Sequence, residues 1–93
     1  MAQRVGEVVL RYTVDWDEHA AVQLARIWTN SQKRADVTAA VERTEYQLTY
    51  RPLLVGESRE TTLVRVVFET PITVLFEVIE DDKKVIVRAV FAI

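Results

Sequence analysis

The sequence contains no cysteine, and its 93 residues include only two glycines, two prolines and one histidine. Without cysteine the chain cannot form a disulfide scaffold, a cysteine-ligated zinc site, an iron–sulfur cluster or a cysteine nucleophile. The glycines, Gly6 and Gly56, are too far apart to build a glycine-rich phosphate loop. The single histidine, His19, stands where a first helix is predicted and completes no metal site or Ser-His-Asp triad. We therefore expect no metal ion and no cofactor.

The chain also lacks a charge excess and a long hydrophobic run. Twelve basic and fourteen acidic side chains give a net charge of −2, with six basic and seven acidic groups in each half. Proteins that bind nucleic acid mainly through phosphates carry a basic excess that is absent here. No apolar stretch approaches about 18 uncharged residues, and the N-terminal segment has no signal-peptide pattern. We therefore expect a cytoplasmic protein that does not enter a membrane.

The length and the 49% hydrophobic content predict one globular domain over residues 1–93. Residues 8–14 alternate between apolar and polar side chains, which predicts a strand. Asp17 is suited to cap the helix that follows.

Two helices are predicted after this strand. The first has an apolar stripe that includes Trp16, Leu24 and Trp28, expected in the core, and it should end near residues 29–31. The second should begin between residues 31 and 34 and stop before Pro52, which disfavours helix at the preceding residue. A short polar link between them predicts an antiparallel helical hairpin.

The second half of the chain has the period of strands. Residues 61–68, 72–79 and 84–91 are rich in β-branched and aromatic side chains, and short turns separate them. They predict an antiparallel meander. The fold class is therefore α+β, in the order β-α-α-β-β-β, with the helical hairpin on one face of a mainly antiparallel four-stranded sheet.

Alternation along these strands predicts which side of the sheet the helices cover. The covered side should carry Val64, Val66 and Phe68 together with Ile72, Val74, Phe76, Val78, Val85, Val87, Ala89 and Phe91. The opposite side should be open, with apolar residues around arginines, and it is the predicted partner-binding surface. Its expected members are Leu63, Arg65, Val67, Leu75, Glu77, Ile86, Arg88 and Val90.

Four stretches carry a resemblance to a known family. They are "YTVDW" before a helix ending "LARIW", a second helix ending at Arg51-Pro52-Leu53, the segment "GESRE" at residues 56–60, and "VRVVFETPITVLFEVIEDDKKVIVRAV". In this order they resemble the RelE/ParE toxins of bacterial type II toxin–antitoxin modules, also grouped as a plasmid stabilisation family. The resemblance extends over nearly the whole chain.

The resemblance implies a toxin that a small antitoxin neutralises by wrapping a helical or extended segment over it. RelE-type members cut mRNA on the ribosome, ParE-type members poison DNA gyrase, and some members have no demonstrated toxicity. The sequence favours the ParE-like, binding type, with an antitoxin as partner and DNA gyrase as a candidate target. A homodimer, and a non-toxic homologue that serves only as an interaction module, also fit the sequence.

The enzymatic alternative is a RelE-like mRNA endonuclease. The resemblance places basic groups after the second helix and on two strands, where Arg59, Arg65 and Arg88 stand. Arginine suits phosphate because its planar fork binds bidentately. Cleavage also requires proton transfer, and arginine stays protonated. Arg59 has a second interpretation, since Glu57 and Glu60 beside it can hold its side chain within the loop.

Overall fold

The computed structural model describes residues 11–59 and 61–93, without the side chains of Arg59, Thr61 and Thr62. The first part of the predicted strand 8–14 and the residue Glu60 lie outside the described residues. No helix in these ranges is long and apolar enough to cross a membrane.

The first strand and helix meet at Asp17. Strand β1 spans Thr13–Trp16 and helix α1 spans Glu18–Asn30. The Oδ1 atom of Asp17 accepts a hydrogen bond from the backbone N–H of Ala20 at 2.9 Å, so the predicted N-cap is confirmed. Trp16 belongs to the strand and not to the helical stripe, because the extended backbone continues to the cap.

Helix α2 spans Arg34–Tyr50 and ends before Pro52, as predicted. Its inner face consists of Val37, Ala40, Thr44 and Leu48, which are fully buried at helical spacing. The buried hydroxyl of Thr44 donates to the carbonyl of Ala40 at 2.8 Å, so the polar group is satisfied inside the core. The helical hairpin is confirmed.

The described part of the sheet has five strands, one more than predicted. The strands that follow the helices are β2 (Glu57–Arg59), β3 (Thr61–Glu69), β4 (Ile72–Ile79) and β5 (Lys84–Ala92). Their spatial order in the sheet is β1-β5-β4-β3-β2. Strand β1 runs parallel to β5, and the other neighbours are antiparallel. The α+β fold with helices on one face is confirmed.

Strand β2 was missed because it lies inside the GESRE segment, which reads as a polar loop. Gly56 precedes it with a φ of 72°, and a Cβ atom there would lie 2.2 Å from the carbonyl oxygen of Val66. Only glycine tolerates both the positive φ and this contact. Gly56 therefore lets the chain turn against β3 and pair with it.

The face assignment of β3 was wrong. Val67 pairs with Val74, and Arg65 pairs with Phe76, so these β3 residues lie on the helix side. The sequence predicted a three-residue turn between β3 and β4. In the structure Glu69 pairs with Ile72, so the turn has only two residues. A shift of one residue moves every side chain of a strand to the other face. Val64, Val66 and Phe68 consequently lie on the open side.

A bulge in β5 produces a second reversal. Leu75 pairs with Ala89 and the next residue, Phe76, pairs with Val87, so Arg88 is the extra residue. Beyond the bulge Val90 turns to the helix side and is 2% exposed, while Phe91 is 50% exposed. The predicted places of these two residues are therefore wrong. Val90 is held there by its N–H, which donates to the side-chain oxygen of Gln23 on α1.

Candidate functional site

Arg65 holds the segment that leads into β2. Its guanidinium donates to the carbonyls of Val55 at 2.9 Å and Gly56 at 3.1 Å, and to the hydroxyl of Ser58 at 3.0 Å. Three donors of one rigid fork thus tie the turn to β3. This arginine performs, from β3, the loop-holding role that the sequence suggested for Arg59, whose side chain lies outside the description.

Arg88 is paired with two carboxylates. It donates to Oε1 of Glu77 at 2.9 Å, and its other nitrogen lies 3.5 Å from Oδ2 of Asp17, the cap of α1. Its hydrogen bond to Glu77 is the main influence that raises the pKa of Arg88 above its ordinary value.

The structure does not bring Arg65 and Arg88 into one site. Arg65 lies on the helix side next to Phe76, and Arg88 stands on the bulge with its partner Glu77 on the open side. Val67 and Val90, also predicted for the open surface, are 6% and 2% exposed on the helix side. Leu63 alternates with Arg65 and is partly exposed on that same side. Leu75, Glu77 and Ile86 do lie on the open side.

The open face of the sheet, as the strands define it, is mainly apolar. Cross-strand pairing places Phe68, Thr73 and Phe91 in one row and Val66, Leu75 and Ala89 in the next. Phe68 is 56% exposed. We use "open face" for the residues Val66, Phe68, Thr73, Leu75, Glu77, Ile86 and Phe91.

A groove of about 510 Å³ separates the two helices on the side of the molecule away from the sheet's open face. Its lining is largely apolar, and the sequence reasoning missed it because Trp28 was expected in the core, whereas it is 43% exposed. We call this the helix groove, and its apolar walls are Ala21, Leu24, Ala25 and Trp28 of α1 with Val37 and Val41 of α2.

Two indole groups connect the walls of the helix groove. The Trp16 N–H donates to Oε2 of Glu45 at 2.9 Å, and the Trp28 N–H donates to the hydroxyl of Thr38 at 3.2 Å. Both aromatic rings therefore line the groove while their polar atoms are satisfied by α2. The geometry is that of a preformed surface for apolar side chains.

The closed end of the helix groove is fixed by Arg34, the first residue of α2. Its guanidinium donates to the carbonyls of Trp28 at 3.0 Å and Thr29 at 2.8 Å, which satisfies the end of α1. Its Cζ atom also lies 4.7 Å from the centre of the Trp28 ring, within cation–π range. Trp28 is thus held in place although it is exposed.

No three histidine, aspartate or glutamate side chains come together as a metal site within residues 11–59 and 61–93. His19 is exposed in the first turn of α1.

Among the solved structures that share this fold are chains of two toxin–antitoxin assemblies. A chain of the toxin–antitoxin complex RelBE2 from Mycobacterium tuberculosis superposes with a TM-score of 0.72 at 22% identity, over 92% of this chain and 95% of that one. A chain of the chromosomal ParDE toxin–antitoxin system from P. aeruginosa superposes with a TM-score of 0.67 at 17% identity, over 89% and 97%. No protein-family model and no curated protein matches the sequence. The RelE/ParE-like fold predicted from the sequence is confirmed.

Proposed function

We propose that this chain is the toxin-like component of a type II toxin–antitoxin module and that it acts by binding other proteins. The observation that carries the proposal is the helix groove, an apolar surface preformed by Trp16 and Trp28. The support from the fold is that chains of the RelBE2 and ParDE assemblies share it. An antitoxin is the partner that fits both the helix groove and the fold.

The antitoxin covers two surfaces in this proposal. A helical segment lies in the helix groove, where apolar side chains at helical spacing contact Leu24 and Val41. An extended segment crosses the open face, where Leu75 and Ile86 remain only half-buried. Burial of these apolar groups provides the affinity, and the Glu77–Arg88 pair between β4 and β5 offers polar contacts.

DNA gyrase is the candidate target that requires no bond cleavage by this chain. The alternative, a ribosome-dependent mRNA endonuclease, requires Arg59, Arg65 and Arg88 to share one phosphate. Arg65 donates to backbone carbonyls and Arg88 to carboxylates, and they belong to opposite sides of the sheet. This arrangement favours binding over arginine-based cleavage.

Induced expression of the chain tests this function, with growth, plasmid supercoiling and mRNA integrity scored in the same culture. We expect growth arrest and altered supercoiling with intact mRNA, and recovery when a candidate antitoxin from a short reading frame adjacent to its gene is expressed with it. Ribosome-dependent mRNA cleavage would instead support the endonuclease. Unchanged growth at full expression would support the non-toxic interaction module and contradict the proposal.

A further inference from the structure

Among the residues that the structure describes, Glu45 is the one charged residue that lines the helix groove. It is exposed on α2 and accepts the Trp16 N–H through Oε2, but it has no cationic partner among the described residues. Some carboxylates of the neighbouring elements do have a cationic partner. Asp17 lies beside Arg88, for example. A carboxylate without a cation, placed at one end of an apolar groove, requires an explanation.

We propose that Glu45 and the indole of Trp16 form a cation subsite that accepts a lysine or arginine side chain from a partner helix. This inference rests on the proposed function, since it specifies the partner that the helix groove takes. A helix laid into the groove removes water from Glu45. Oε2 is already bonded to Trp16, so Oε1 is the atom that then needs a donor.

A cation at this end of the groove compensates the charge of Glu45 and supplies the donor that its Oε1 atom needs. It compensates the charge that docking desolvates, and a neutral or acidic residue in the same place leaves the carboxylate unpaired. The Trp16 ring next to Glu45 adds a π-face on which an ammonium or guanidinium group is stabilised. Glu45 therefore discriminates among partner helices, while the apolar walls supply most of the contact area.

The dimensions of the groove fit a helix and set the spacing of the cation. Thr38 and Glu45 are seven residues apart on α2, which corresponds to about 10 Å or two helical turns. A partner helix presents apolar residues at positions i, i+3 or i+4, and i+7 over that distance. The cation follows at the end of this stripe that meets Glu45, and the opposite end of the stripe lies against Trp28.

The test uses synthetic helical peptides of about 14 residues, or four turns. They share one leucine stripe and differ at the position beyond it, which is lysine, glutamine or glutamate. Binding is followed by the intrinsic fluorescence of the full chain, whose only two tryptophans both line the groove. We expect the lysine peptide to bind about threefold to tenfold more tightly than the glutamine peptide at low salt, and the glutamate peptide to bind weakest.

Glu45→Gln is the decisive variant, because an amide oxygen can still accept the Trp16 N–H while the charge is removed. It should abolish the preference for lysine. Glu42→Gln is the matched control, since Glu42 is exposed on the same helix and does not line the helix groove, and it should keep the preference. A lysine preference that survives Glu45→Gln would overturn the subsite.

A second outcome would also overturn it. If none of the three peptides changes the fluorescence of the folded wild-type chain, the groove does not take a helix of this kind. Both results are separable from failure of the proposed function, which is judged by growth and by the antitoxin and not by peptide binding.

Discussion

Arg65 and Arg88 are both strand arginines, but they bind different kinds of partner. Arg65 donates to a turn that it holds against β3, and Arg88 forms ion pairs at the surface. Residue type alone could not distinguish these roles. The difference comes from the register of β3 and the bulge in β5, which together decide what each guanidinium can reach.

Replacement of the two arginines by alanine should affect stability unequally. Arg65→Ala leaves the Val55 and Gly56 carbonyls without their donor, so we expect a loss of about 1–3 kcal/mol in the free energy of unfolding. Arg88→Ala removes a largely exposed ion pair, so we expect a loss below about 1 kcal/mol. Urea unfolding of both variants measures the difference. Equal losses would contradict the holding role of Arg65.

Tyr12 should make stability depend on alkaline pH. Its hydroxyl donates to the Glu80 carboxylate, and this bond, with burial as a smaller cause, raises the pKa of Tyr12 to about 12. The unfolded chain has the ordinary value near 10. Tyr12 therefore stabilises the fold fully below about pH 10, and this contribution is lost as the pH rises toward about 12.

The variant Tyr12→Phe isolates this contribution. We expect the free energy of unfolding to fall more steeply between about pH 10 and pH 12 for the wild-type chain than for the variant. All other groups are the same in both proteins, so the comparison removes their effect. Identical pH slopes would show that the Tyr12–Glu80 bond does not contribute.

At the scale of elements, α1 shows how far a hydrophobic pattern can be interpreted. The pattern predicted the helix, its cap at Asp17 and its end correctly. It did not separate the residues that face the sheet, such as Ala20, from those that face the helix groove, such as Ala21 and Ala25. The sequence did contain a signal for this second face, because the apolar residues of α1 cover more of the helix surface than one stripe requires.

Strand β3 shows a different limit. Both of its sides are apolar, because Leu63 and Val67 alternate with Val64, Val66 and Phe68. Alternation then fixes the strand but not its face, and a turn of two residues instead of three reverses the result. The bulge at Arg88 was not predicted for a similar reason, because no glycine or proline in the sequence marks its position.

Two neighbouring residues of α1 allow a matched test of the helix groove. Ala21 and Val22 are both exposed, but only Ala21 lines the groove. Ala21→Glu places a charge where the antitoxin helix docks, so we expect at least a tenfold loss of affinity, or about 1.4 kcal/mol. Val22→Glu should bind like the wild-type chain. Calorimetric titration with the antitoxin measures both, and equal affinities would exclude the groove from the interface.

At the scale of the whole molecule, the sequence was sufficient for the fold class and for the order of the elements. Both helices and the meander follow from periodicity, capping and turn chemistry, and the RelE/ParE-like fold follows from the resemblance to that family. The candidate site was less accessible, because it depends on which faces the elements present to one another. Glu45 and Trp16 are 29 residues apart, and only the packing of α2 against β1 brings them into contact.

The central claim is that this chain forms a complex with an antitoxin. Coexpression of the tagged chain with the candidate antitoxin, which we expect a short reading frame next to its gene to encode, followed by size-exclusion chromatography with light scattering, is the direct test. We expect both proteins in one peak, with a mass that accounts for each and differs from that of a homodimer of the chain. Two folded proteins that elute separately, each with its own mass, would contradict the account.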